Sequence, residues 1–168
     1  MRFEIGGDYN MTVEQFWSAV FFDPDFNDHL HFKGLGFSDY EIVEDRVESD
    51  GRRSRILKAH PKTPIPKPLQ RLLGKSISYI EHGEYDPNAR AWTTRVELPK
   101  IGRKLQIEST MSFTPKDELS CTRTVIFDVQ ANIFGIGRIL EKFTESALRD
   151  NYELARRATN AWFAQNRN

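Results

Sequence analysis

Arg123 stands in the run Leu119, Cys121, Arg123, Val125, Phe127 and Val129, so the strand parity that buries Val125 and Phe127 also turns its guanidinium inward. A buried guanidinium is costly without a carboxylate. Three outcomes are open: Glu81 neutralises it, a bulge turns it outward, or the acidic head group of a ligand pairs with it. Glu81 is the internal candidate because it shares the parity of Ile77 and Tyr79.

Other chemistry is sparse. His29 and His31 are two apart, which places them on different helix faces, and no Cys or third His lies near them, so no metal site is expected. His60 and His82 fall in separate strands. Cys121, mid-strand, reads as a small core residue rather than a nucleophile. Glu44 and Asp45 diverge in a strand, and Asp117 and Glu118 are solvated in a turn. There is no Gly-rich phosphate loop, no Gly-x-Ser-x-Gly and no RNA-type aromatic motif, so neither a cofactor nor a nucleic acid partner is expected.

A basic stretch is a second candidate for function. Between Arg52 and Ile80 there are eight Lys or Arg and no Asp or Glu, and four prolines stand between Pro61 and Pro68. Ile65, Lys67, Leu69, Arg71 and Leu72 form a stiff, basic and apolar segment. It suits transient contact with an anionic membrane surface, where each basic residue contributes about 1 kcal/mol, or a gate over a cavity. The alternative is a solvated connection whose leucines tuck into the core.

The elements that position these residues follow from periodicity. The 168 residues fit one domain, residues 1–168, and Lys+Arg balance Asp+Glu at 24 each, which removes any global argument for nucleic acid. No apolar run approaches the ~18 residues of a membrane span. Met1 to Ile5 alternate at once instead of forming a signal peptide, and a lone Cys builds no disulfide framework, so a cytoplasmic location is expected.

Residues 2–9 read as a first strand. Thr12 with Gln15 is a capping-box signal for a short helix to about Phe22, and a second covers Asp25 to Phe32. Six strands follow, at 40–48, 52–60, 76–85, 90–98, 103–114 and 119–131. Asp50-Gly51 reads as a two-residue turn that sets Glu48 opposite Arg53 and Glu41 opposite His60. Gly135 to Asn168 is one long amphipathic helix with Ile136, Leu140, Phe143, Ala147, Leu154, Ala158 and Trp162 on its stripe. Short connections require an antiparallel meander, and the strands' apolar face must cover that helix.

This order, one strand, two short helices, six strands and a long helix, resembles the helix-grip fold of the START-like or SRPBCC superfamily. The residues of the resemblance are Thr12 to Val20, Ile65 to Gly74 and the closing helix, and they are close to an uncharacterised bacterial family within it. The resemblance implies an α+β fold, a curved antiparallel seven-stranded sheet wrapped around the C-terminal helix. It also implies a cavity for a hydrophobic small molecule or lipid, bound for transport or sensing. A polyketide cyclase or dehydratase using the same cavity is the alternative, with Tyr79, Glu81, Arg123 and His82 as the side chains that would orient a polyketone and act as general acid or base; a partner-binding domain with a filled core is a third reading.

Inward parity and the helix stripe nominate Tyr79, Trp92, Met111, Phe113, Arg123, Phe127, Leu140, Phe143, Ala147 and Asn151 as ligand-binding residues. Ala147 and Ala158 are small where a filled interface would carry larger side chains. Asn151, four residues beyond Ala147, needs a hydrogen-bonding partner in water, a strand or a ligand. Oligomeric state is not readable from these patterns.

Overall fold

The computed structural model describes residues 1–166. Strand β1 (Arg2–Tyr9) leads into α1 (Val13–Phe16), which winds on in π-helical form over Trp17–Phe21. The capping box is formed: Thr12 Oγ1 accepts from Gln15 N at 3.2 Å, and Thr12 N donates to Gln15 Oε1 at 2.9 Å. Asp23 caps α2 (Pro24–Asp28), accepting from Phe26 N at 2.7 Å, and π-helical turns extend that helix over His29–Gly34.

Six strands follow, β2 (Asp39–Val47), β3 (Arg53–His60), β4 (Tyr79–Asp86), β5 (Ala91–Glu97), β6 (Leu105–Pro115) and β7 (Cys121–Ala131). Helix α3 (Lys67–Leu73) interrupts them, and α4 (Gly137–Gln165) closes the chain. The sheet is seven-stranded and antiparallel throughout, in the order β1-β7-β6-β5-β4-β3-β2. The first strand thus lies beside the last, and the meander runs unbroken between the two edges. This is the helix-grip fold. The parity reading holds for Leu105, Ile107 and Met111 on β6 and for Val125, Phe127 and Val129 on β7, which are buried on the inner face, as are Leu57 and Ala59 on β3.

Helix α1 and its extension seal one end of the core with rings. Phe16 packs on Phe113 at 4.2 Å between centroids, Trp17 on Tyr85 at 4.8 Å, and Phe21 on Trp92 at 5.1 Å.

Several local expectations are corrected. In the β2–β3 hairpin Glu48 N donates to Arg52 O at 2.8 Å and Val47 faces Arg53, because the loop holds three residues and ends on Gly51 at φ 85°. An irregularity between Ile42 and Glu44 shifts the register again, so Glu41 meets Lys58 rather than His60. Strand β4 begins at Tyr79 rather than Ser76, and Leu119 lies in the exposed turn before β7. On α4, Leu154 is 47% exposed: beyond Asn151 the inward stripe runs through Ala155, Thr159 and Phe163, about 100–180° around the helix from Leu154. Ala158 faces Gly34 at the end of α2 and lets the two backbones approach. The last two residues assigned to the closing helix, 167 and 168, lie outside the described ones.

Candidate functional site

Between the concave face of the sheet and α4 lies a cavity of about 270 Å³. Its walls come from every layer of the fold. The sheet contributes Leu57, Trp92, Leu105, Ile107, Met111 and Phe127, and α4 contributes Leu140, Phe143, Ala147 and Leu148. The α2 region closes it with Phe26 and Leu30. Tyr79, Trp92, Met111, Arg123, Phe127, Leu140, Phe143, Ala147 and Asn151 are brought together on this surface. Phe113 is not: it sits in the ring cluster with Phe16, Tyr9 and Trp17.

The basic segment divides by side chain. Ile65 and Leu69 are buried in the core, Leu72 is half-buried, and Lys67 and Arg71 remain exposed. Pro61, Thr63 and Leu73 from the same stretch line the cavity, so α3 and its approach form part of the wall.

Charged groups project into this apolar space at two places. At one, Arg55 on β3 is only 4% exposed, and its Nη2 donates to Phe21 O at 3.3 Å. Its guanidinium lies 5.2 Å from the Phe21 ring and 5.4 Å from that of Trp92. Asp45 approaches its Nε at 3.7 Å while gripping Arg53 at 2.5 Å. Glu81 faces this group. Burial pushes the Glu81 carboxyl up to about 7, against the pull of Arg55 and the Trp92 side chain. Burial also raises the Tyr40 hydroxyl to about 12 and the Tyr79 hydroxyl well above its usual range. Nearby, Thr94 and Ser109 satisfy each other at 2.7 Å.

At the other place is Arg123, 5% exposed, between the rings of Tyr9 and Tyr152 at 5.0 and 4.6 Å. Its Nη2 donates to Tyr152 O at 3.4 Å, and its Nε has no partner. The carboxylate considered for it, Glu81, lies on β4 and feels the charge of Arg55 rather than that of Arg123. Arg55 was not among the residues singled out from sequence, although its parity with Leu57 and Ala59 marks it as inward. The cavity-lining Asn151 amide meets no protein partner among the described residues.

Other candidates fall away from the cavity. By alternation with Glu81, His82 faces the opposite side of the sheet, in a polar groove with Glu84, Arg95 and Asp128. His29 packs at a tilt against Trp162, 4.7 Å between ring centroids, and His60 Nδ1 meets Ser78 Oγ at 3.0 Å. Cys121 is buried, which pushes its thiol up to about 11 and keeps it protonated. No group of three or more His, Cys, Asp or Glu among the described residues could hold a metal ion. No helix among them is long and apolar enough to cross a membrane.

A family model described as "Protein of unknown function (DUF2505)" matches residues 5–163. The chain belongs to this family. No curated protein matches the sequence. Solved structures resemble the DUF2505 chain in fold. A START superfamily protein from Mycobacterium smegmatis is 19% identical with a TM-score of 0.62, the match covering 98% of this chain and 97% of the other. The Zhui aromatase/cyclase from Streptomyces sp. R1128 is 11% identical with a TM-score of 0.65, over 96% and 92%. Norcoclaurine synthase from Thalictrum flavum, in complex with dopamine and hydroxybenzaldehyde, is 16% identical with a TM-score of 0.68, over 100% and 88%. The DUF2505 chain therefore has the START-like fold.

Proposed function

We propose that the chain binds a hydrophobic small molecule or lipid in the cavity between the sheet and α4, as a carrier or sensor. The observation that carries this reading is the apolar lining, with polar groups confined to a few positions, which is the usual composition of a small-molecule site. The segment from Pro61 through α3 is the proposed gate, because it supplies part of the wall and is tied to the core through Ile65 and Leu69. Lys67 and Arg71 on its exposed side suit a transient electrostatic contact with an anionic membrane during loading.

Native mass spectrometry of protein purified from its host, with solvent extraction, tests the reading. A co-purifying apolar molecule is expected, and Ala147→Phe, which fills the cavity from α4, should lose it while remaining folded. Protein that carries nothing and takes up no apolar dye would overturn the proposal.

A second reading, a cyclase or dehydratase, draws on Glu81. A cavity carboxyl that changes protonation near neutrality is suited to general acid–base work. Two proteins of this fold are named as an aromatase/cyclase and a synthase. Turnover of an aromatic polyketone that disappears in Glu81→Gln would favour this reading over carriage.

A further inference from the structure

The two buried arginines of the cavity differ in what balances them. Arg55 has Asp45 at 3.7 Å and Glu81 beside it. Arg123 has no carboxylate within ion-pair distance among the described residues. Two acids on the neighbouring β1 and α4 are committed elsewhere. Asp8 bonds to Lys116 and to Thr122 Oγ1, and Glu153 is held by Arg156 at 2.8 Å and Arg157 at 2.7 Å. A guanidinium carries five N–H donors. In Arg123 one of its nitrogens meets a protein acceptor, at the long distance of 3.4 Å, and Nε meets none. The Tyr9 and Tyr152 rings hold the group in place through their faces but accept no strong hydrogen bond from it. One positive charge at the cavity wall therefore lacks a negative partner.

We propose that the cavity takes a compact amphiphile with a single anionic group, a carboxylate on an apolar chain or ring, and that this group pairs with Arg123. The inference rests on the hydrophobic-ligand reading and narrows it to a charge class. Charge-assisted Arg–carboxylate bonds are stronger than neutral ones, and the surrounding apolar wall of Met111, Phe127, Leu140 and Phe143 accepts the remainder of the molecule. The volume of about 270 Å³ lies just below the usual range for ligand pockets, about 300–1,000 Å³, which suits one short chain or small ring system rather than a two-chain lipid.

Isothermal titration with decanoate and with decanol, both below their aggregation limits and at about pH 6, where an ordinary carboxylate is ionised, tests the assignment. The wild type should bind decanoate about tenfold or more tightly than decanol. Arg123→Met should remove that preference and leave decanol binding within about twofold, and Arg123→Lys should restore part of it. Melting temperatures identify a variant that does not fold, in which case the wild-type comparison decides alone. Equal binding of the two probes by the wild type, or an equal loss of both in folded Arg123→Met, overturns the proposal. Decanol binding without a decanoate preference sinks this inference and leaves the cavity reading standing; failure of both probes to bind counts against both.

Discussion

The indole of Trp92 on β5 lies against the backbone of Gly83 on β4, so close that a Cβ at Gly83 would overlap its six-membered ring. The glycine is what allows the largest side chain of the inner face to lie flat on the sheet and form a cavity wall. Gly83→Ala should force the ring off its site. Overpacking of this kind costs about 1–3 kcal/mol. A melting temperature lower by several degrees, on the order of 2–4 °C per kcal/mol for this size, is expected, together with weaker uptake of apolar dye as the ring intrudes on the cavity. An unchanged melting temperature would show that the sheet relaxes around the methyl group.

Two half-buried titratable groups near Arg55 act on stability in opposite directions. Burial raises Glu81 from 4.5 to about 7, so its contribution is fully present below about pH 4.5 and is lost as pH rises to about 7. Burial lowers His31, whose ring stacks on Tyr40 at 3.7 Å and whose Nδ1 meets Asn27 O at 2.7 Å, from 6.5 to about 4. Its contribution is present above about pH 6.5 and is lost as pH falls to about 4. In the wild type the two slopes oppose each other between about pH 4.5 and 6.5. Glu81→Gln should expose the histidine slope, with stability falling on acidification by on the order of 1–3 kcal/mol. His31→Gln should expose the reverse slope, with stability falling as pH rises through the same range. Urea denaturation at about pH 5, 6 and 7 reads both, and parallel profiles for the three proteins would contradict the assignment.

Asp45 grips Arg53 through both oxygens, at 2.5 and 2.6 Å, and supports buried Arg55. Removing its charge leaves Arg55 dependent on Glu81, which burial holds partly protonated near neutrality. Asp45→Asn should cost about 1–3 kcal/mol, as expected for breaking a partly buried charged pair. Glu44→Gln, which removes the exposed partner of Arg46, should cost less than about 0.5 kcal/mol. Chemical denaturation of both variants at neutral pH measures the contrast, and similar losses would show that Arg55 does not depend on Asp45.

Much of this arrangement was legible before folding. The Thr12–Gln15 box, the meander and the inward parity of Tyr79, Trp92, Met111, Arg123 and Phe127 all follow from periods of two or 3.6 residues and from turn composition. These are local properties, repeated every few residues. On α4 the same logic brought Leu140, Phe143, Ala147 and Asn151 to the cavity, but it failed at Leu154. There Ala155 and Thr159 face inward, and small or hydroxylated side chains signal burial weakly.

Sequence by itself determined which way each strand residue points, because alternation is built into the extended backbone. Tertiary structure decided which inward groups meet. Glu81 and Arg123 share the inner face, yet β6 and β5 separate their strands, roughly 14 Å across the sheet at the usual strand spacing. Arg55 lies on the strand next to Glu81, near enough for its charge to act on that carboxyl. A three-residue hairpin loop brings Asp45 opposite that same arginine. Parity repeats along one strand and is visible in its residues. Strand order and register arise between distant segments, and they left Arg123 as the cavity charge without a carboxylate.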